Sequence, residues 1–332
     1  MKERAPSIRD VARGAGVSYQ TVSRVLNSHP SIRPATEARV RAVMSELGYR
    51  PNRAARTLVT ARNHTIGLLV STRSQYGPFS ASLAIEEAAR ARGYSITSAS
   101  IASGDDDALS EALDSLLAHG VDGLAVIAPQ PRSLAAVLRL APEVPMVMLH
   151  SRTPDCRSVT IDQAGGAAAA VAHLAELGHR RIAHLAGPPD WTEAEERAAG
   201  YLAAMRAHDL PPGPIVAGDW TADSGFALGP PLIEAGVTAV FSSNDQMAVG
   251  LVHAANEAGL RVPRDLSVVG FDDIPEARHL RPPLTTLRQD FAELGRRAIA
   301  TLLADLHADE VPDYGDLPAE LVARASTAAP CP

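Results

Sequence analysis

SIRDVARGAGVSYQTVSRVLN, residues 7–27, is the stretch on which the reading of this chain turns. Ser7 is a helix cap followed by apolar Ile8, Val11 and Ala12 at helical spacing. Ala12 is small where a second helix must come close, Gly16 suits a turn at positive φ, and Val17 plugs that turn from beneath. Ser18 caps a second helix with Val22, Val25 and Leu26 on its inner face. Tyr19, Gln20, Thr21, Ser23 and Arg24 are left on the outer face. An exposed helical face carrying an amide, hydroxyls and an arginine suits base edges and phosphates in a major groove. It also suits an ordinary helical hairpin with a solvated polar face, so the flanking sequence must separate the two.

Charge is the first flank. The 332-residue chain is net −7, which by itself does not suggest nucleic acid. The charge is unevenly spread, however. Residues 1–62 hold 12 Lys/Arg against 4 acids, a net +8, and the remainder carries −15. A basic head on an acidic body is the footprint of a DNA-binding segment joined to something else. The next segment is the second flank. Pro34 to Leu47 is predicted as a third helix with Val40, Met44 and Leu47 on one face, and Gly48 ends it. The basic, Ala-rich run from Tyr49 to Leu58 is too short to be a stable lone helix. It can fold on meeting DNA and a second copy. Leu58 then either wedges between base steps in a minor groove or packs on the following domain.

Beyond His64, apolar runs alternate with amphipathic helices. Strands are predicted at 65–70, 94–99, 123–128 and 146–149, with helices at 80–92 and 106–119. A second set follows: helix 164–177, strand 181–185, helix 193–208, strand 239–242, helix 245–258 and strand 266–270. Strands alternating with helices imply parallel sheets covered on both faces, and this length suits two lobes better than one sheet. Ligands of such sheets bind beyond the strands' carboxyl ends, where "SSND" and "GFDD" place Asn244 and Asp272.

Several functions find no support. There is no Walker A run, no His-Glu-x-x-His and no Gly-x-Ser-x-Gly, so no enzyme, cofactor or metal site is expected. Gly14/Gly16 and Gly165/Gly166 lack the context of phosphate loops, and Asp105–Asp107 reads as a solvated helix start. Cys156 and Cys331 have no metal-ligand spacing, and His173 and His179 read as structural. No apolar run spans a membrane and the N-terminus lacks a secretory apolar core, which predicts a cytoplasmic protein.

The segments "DVARGAGVSYQTVSRVLN", "ELGYRPNRAARTL", "LGHRRIAHLAGP", "VFSSNDQMAVG", "LSVVGFDD" and "PPLTTLRQDFAELG" resemble, in order over nearly the whole chain, the LacI/GalR family of bacterial transcription regulators. The resemblance implies an N-terminal all-α helix-turn-helix DNA-binding domain (1–50), a hinge helix and linker (51–63), and an α/β effector domain (64–330). The effector domain would have two Rossmann-like lobes, as in periplasmic sugar-binding proteins. It implies that Tyr19, Gln20 and Arg24 read bases, that Ser18, Thr21, Ser23 and Asn27 hold phosphates, and that Asn52 and Arg53 begin the hinge. Leu58 matches the hinge leucine. Arg197, Asn244 and Asp272 match the effector contacts, Trp220, Gln289 and Phe291 the pocket rim, and Ser71 a hydroxyl near the sugar. On the residues alone, Arg197 equally suits a surface pair with Glu193, and Trp220 suits core packing. His150 departs from a member of the family that has a sugar-gripping aspartate near that position, and Trp191 is an addition close to the cleft.

The expected function is therefore a sequence-specific transcription repressor, a homodimer on operator DNA, released by a mono- or disaccharide bound between the lobes. The alternatives are a purine or other co-repressor, and a sugar-binding protein without a DNA role. The tail "STAAPCP" offers no heptad helix for pairing dimers, and the helices around Leu83–Ala91 and Leu109–Leu117 are interface candidates.

Overall fold

The computed structural model describes residues 6–26, 31–49, 63–72, 75–101, 106–140, 144–150, 156–310 and 313–331. Asn27, Asn52, Arg53 and Leu58 lie outside these residues. The chain divides into two compact units, Met1–Asn63 and His64–Pro332.

The first unit contains α1 (Ile8–Ala15), α2 (Tyr19–Leu26) and α3 (Pro34–Glu46). Asp10 begins α1 by accepting from the Ser7 N–H at 2.9 Å and the Ser7 hydroxyl at 2.6 Å. Gly16 stands at φ 62°, which ends α1 in a tight left-handed turn that a side chain would strain. The Ser18 hydroxyl then caps α2 by accepting from the Thr21 N–H at 3.1 Å. Val11, Ala12, Ala15, Val22, Val25 and Val40 form the small core, with Val43 and Met44 packed against it. Leu47 is exposed instead of joining that face.

The second unit holds two parallel sheets. The first consists of β1 (Thr65–Val70), β2 (Ser95–Ser100), β3 (Gly123–Ile127), β4 (Met146–Leu149) and β5 (Arg157–Val159), in the order β2-β1-β3-β4-β5. Its helices are α4 (Tyr76–Ala91), α5 (Asp106–Ala118) and α6 (Pro131–Leu140). Leu109, Leu113 and Leu116 of α5 are buried in their own lobe, so that face is not free for a second copy. In the second lobe α7 (Gln163–Glu176), β6 (Ile182–Ala186), α8 (Thr192–Ala207), β7 (Ile215–Ala217), α9 (Ala222–Glu234), β8 (Ala239–Ser242), α10 (Asp245–Glu257) and β9 (Ser267–Val269) follow in turn. The strand order there is β7-β6-β8-β9. In both sheets the first strand has the second on one side and the third on the other. That arrangement makes a topological switch point, where a crevice opens at the strands' carboxyl ends.

The chain then crosses between the lobes. After β10 (Thr286–Arg288), helix α11 (Phe291–His307) returns to the first lobe, where Leu294, Ile299 and Leu302 pack with Ile66, Leu68 and Leu149. The chain comes back as β11 (Glu320–Val322), antiparallel to β10. The tail is tied to the second lobe through the Ser326 hydroxyl, which donates to the Val268 carbonyl at 2.6 Å. His179 and His173 bind the same tail, at Ala328 and Thr327, which accounts for both as structural residues. Among the described residues, no helix is long and apolar enough to cross a membrane.

Candidate functional site

In the first unit the outer face of α2 is what the sequence led one to expect. Tyr19, Gln20 and Arg24 are exposed, while Val22 and Val25 face inward. Ser18 and Thr21 are also occupied locally, with their hydroxyls 2.9 Å apart at the helix cap. The three-helix core thus presents a ring, an amide and a guanidinium to solvent.

In the second unit, a cleft is lined by Gln75, Tyr76, Gly77, Pro78, His150, Trp191, Glu193, Arg197, Trp220, Asn244, Asp272 and Gln289. Six of the eight residues anticipated for an effector are therefore brought together. Ser71 is not among the lining residues; its hydroxyl donates to Gln130 at 3.0 Å in the buried switch point of the first sheet. Phe291 also stands back. It lies in the first lobe's core, edge-on to Tyr76 at 6.0 Å, so Tyr76 faces the cleft and Phe291 backs it.

Arg197 is the centre of the site and is held from several sides. Its Nε donates to Gln163 at 2.8 Å and its Nη1 to the Ser243 carbonyl. Its guanidinium carbon lies 3.8 Å from the Phe271 ring centroid, and Nη2 is 3.9 Å from Asp272 Oδ1. It is only 5% exposed, which rules out the surface pair with Glu193. Gln163 passes the contact on to Gln289 at 3.0 Å, and Gln289 donates to Asp272 Oδ1 at 2.6 Å. The ring Arg197–Gln163–Gln289–Asp272 therefore touches the chain at two of its crossings between the lobes. Burial pushes the Asp272 carboxyl up to about 7 against the pull of Arg197. Burial also raises Asp245, whose carboxylate accepts from Ile274 N–H at 2.8 Å and the Thr286 hydroxyl.

Asn244 lines the cleft, but its amide is already committed. Its oxygen caps α10 through the Met247 N–H, and its nitrogen donates to the Trp220 carbonyl, both at 2.9 Å. That second bond fixes Trp220, whose backbone is left-handed at φ 73°. The Trp220 indole lies over Gly187, where a Cβ would come within 2.1 Å of the ring. His150 (φ 67°) and Asp272 (φ 116°) are left-handed too. Three strained backbones in one cleft mark a place whose geometry is held against local preference.

The sequence reading missed Glu193 as a cleft residue, along with Gln75, Tyr76 and the link Gln163. Glu193 sits four residues before Arg197 on α8, and helical spacing could have placed it on the same face. Nothing in the sequence flags Gln163, which acts only through two residues distant from it along the chain.

The description "Bacterial regulatory proteins, lacI family" matches residues 7–52, and "Periplasmic binding protein-like domain" matches residues 171–327. The chain is 37% identical over 329 residues to the lactose operon repressor of Escherichia coli (strain K12), covering 98% of this chain and 91% of that one. It is 38% identical over 321 residues to the HTH-type transcriptional regulator CelR of Thermobifida fusca, covering 92% of each. Among solved structures, the lac repressor dimer bound to operator and the anti-inducer ONPF matches with a TM-score of 0.86 at 36% identity. It covers 98% of this chain and all of that one. The CelR–cellobiose complex matches with a TM-score of 0.72 at 32% identity, covering 97% and 99%.

Proposed function

The chain belongs to the lacI family of bacterial regulatory proteins, and from that premise we propose an operator-binding repressor whose effector is a neutral sugar held between the two lobes. It is a DNA-binding transcription regulator, as its relatives are, and not an enzyme. The effector reading rests on one observation: a guanidinium, a carboxyl and an indole from separate segments line a single cleft. Planar charged groups make paired hydrogen bonds to neighbouring hydroxyls, and an aromatic face covers the apolar side of a sugar ring. A stacked purine would favour parallel aromatic walls, whereas Trp191 and Trp220 meet at 67°. The relatives include a repressor named for lactose and a regulator solved with cellobiose, in line with a mono- or disaccharide.

On operator DNA, Tyr19, Gln20 and Arg24 read base edges. Ser18, Thr21, Ser23 and Asn27 hold phosphates. Asn52 and Arg53 start the hinge, and Leu58 wedges into the minor groove. Two copies act together. The exposed Phe79 and Leu83 on α4 and Phe226 on α9 supply apolar surface for the second copy, and the lac repressor bound to its operator is a dimer. The protein works in the cytoplasm, where its operator is. A sugar that binds one arrangement of the lobes more tightly shifts the population toward it and lowers operator affinity.

A thermal-shift screen of D-glucose, D-galactose, D-ribose, cellobiose, lactose and the purines hypoxanthine and guanine tests the effector. A sugar at about a hundred times its dissociation constant adds about 2.7 kcal/mol to stability. A shift with a purine and none with any sugar would overturn the reading.

A further inference from the structure

The first turn of α8 is where the second lobe grips the first. Thr192 donates both its backbone N–H and its hydroxyl to the Pro129 carbonyl, each at 3.0 Å. One residue on, Glu193 Oε1 meets His150 Nδ1 at 2.8 Å. Pro129 follows β3 and His150 follows β4, which are neighbours in the first sheet. His150 and Glu193 are 7% and 5% exposed. Leaving hydrogen-bonding capacity unused on a buried ionisable pair is costly. Here half of it is unused: His150 Nε2 and Glu193 Oε2 have no hydrogen-bond partner among the described residues. Trp220 Nε1 is the third such buried atom, and all three residues line the same cleft.

We propose that His150 and Glu193, one from each lobe, are a specificity-determining pair that reads a hydroxyl of the effector. This rests on the sugar reading above and goes beyond it by naming what in the sugar is read and by which atoms. An ionised Glu193 Oε2 only accepts. His150 Nδ1 faces a carboxylate and so carries a proton, which leaves Nε2 an acceptor on the neutral ring and a donor on the cation. A hydroxyl both donates and accepts, so with the His150 cation it donates to Oε2 and accepts from Nε2–H at once, whereas on the neutral ring its single proton serves one of the two acceptors. An ether or carbonyl oxygen leaves Oε2 unpaired, and a methylene leaves both unpaired. A site built around a hydroxyl rejects the analogue that lacks it, because the buried groups then stay unsatisfied. Because the two residues come from different lobes, the ligand that satisfies them also reinforces the contact between the lobes. Trp220 Nε1, a donor only, takes an oxygen of the same ligand.

Calorimetric titration of the full-length protein tests this. The probes are cellobiose, lactose, D-glucose and D-galactose, then the monodeoxy analogues of whichever binds. The wild type, Glu193→Gln and His150→Asn are compared, with the melting temperature of the second unit as the check on folding. Removing one particular hydroxyl is expected to weaken binding to the wild type by about tenfold or more. The same removal should cost Glu193→Gln and His150→Asn no more than about threefold, a coupling that a purely structural latch does not produce. Equal losses across the deoxy series in the wild type and both variants would overturn the pair's role while leaving the sugar reading intact. No heat with any of the four sugars would overturn the sugar reading itself, and the pair's role with it.

Discussion

Helix α2 and the cleft of the second unit place their candidate functional side chains in opposite ways. On α2 the candidate readers Tyr19, Gln20 and Arg24 fall within one eight-residue helix and point to solvent, and the unit is held by a core of six small apolar residues. In the cleft the working residues come from segments scattered between residues 75 and 289, and most are buried and bonded to one another. An outward face must be rigid only as a unit, so helix periodicity reveals it. A buried cleft must be rigid residue by residue, and its supports lie wherever the fold brings them.

If that contrast holds, damage to the head's core should spare the cleft. Val22→Ala removes packing from a core with little to lose and should cost the head about 2 kcal/mol or more. Operator binding should be abolished near the head's melting temperature while the sugar-induced thermal shift remains. Loss of both, measured by anisotropy and thermal shift, would break the comparison. Leu58→Ala should leave melting unchanged and weaken specific binding by about 2 kcal/mol, with operator bending lost as well. A large drop in melting temperature with normal affinity would instead place Leu58 in a core. Gln20→Ala should relax base preference at one or two half-site positions by about 1–3 kcal/mol each, read by binding selection from random sequence. An unchanged selected operator would remove Gln20 from the readers.

The smallest effect concerns pH. The Asp272 carboxyl, pushed up to about 7, holds its proton well above the ordinary aspartate range. With the folded value raised, stability from this group is greatest below about pH 4 and falls as pH rises through about 7. A sugar that donates hydroxyl protons to the carboxylate favours the ionised form. Its affinity should therefore rise by up to about tenfold between pH 6 and 8, with proton release on binding visible by titration in two buffers. Asp272→Asn should flatten that profile. A profile that stays steep in the variant would assign the titration to another group.

These regions also differ in how much the sequence disclosed. The helix-turn-helix was legible down to its caps, because Ser7, Gly16 and Ser18 act on neighbours within a few residues. The alternating strands and helices of both lobes were legible from apolar runs, and β4 and β8 fall on the expected residues. Three helices were not foreseen. Pro230 and Pro231 sit inside α9, and the glycines that look like breakers serve packing: a Cβ on Gly225 would come within 2.1 Å of the Met247 carbonyl. Helix α6 is a short 10-residue element, and α11 belongs to the first lobe although it follows the second in sequence. Within the cleft, Arg197 and Asp272 were recognisable from family motifs, whereas the Glu193 partner of His150 and the Gln163 link exist only through contacts between distant segments.

The central claim is that a sugar in this cleft controls the DNA-binding head, and it is tested most directly by operator affinity measured against sugar concentration in wild type and Arg197→Ala. Removing a buried charge that holds Gln163, Ser243 and Asp272 in place should cost sugar binding about 3 kcal/mol or more, over a hundredfold. The account predicts that sugar releases the wild type from operator, while Arg197→Ala binds operator normally without sugar and stays bound at the concentration that frees the wild type. Release of Arg197→Ala at that same concentration would contradict it.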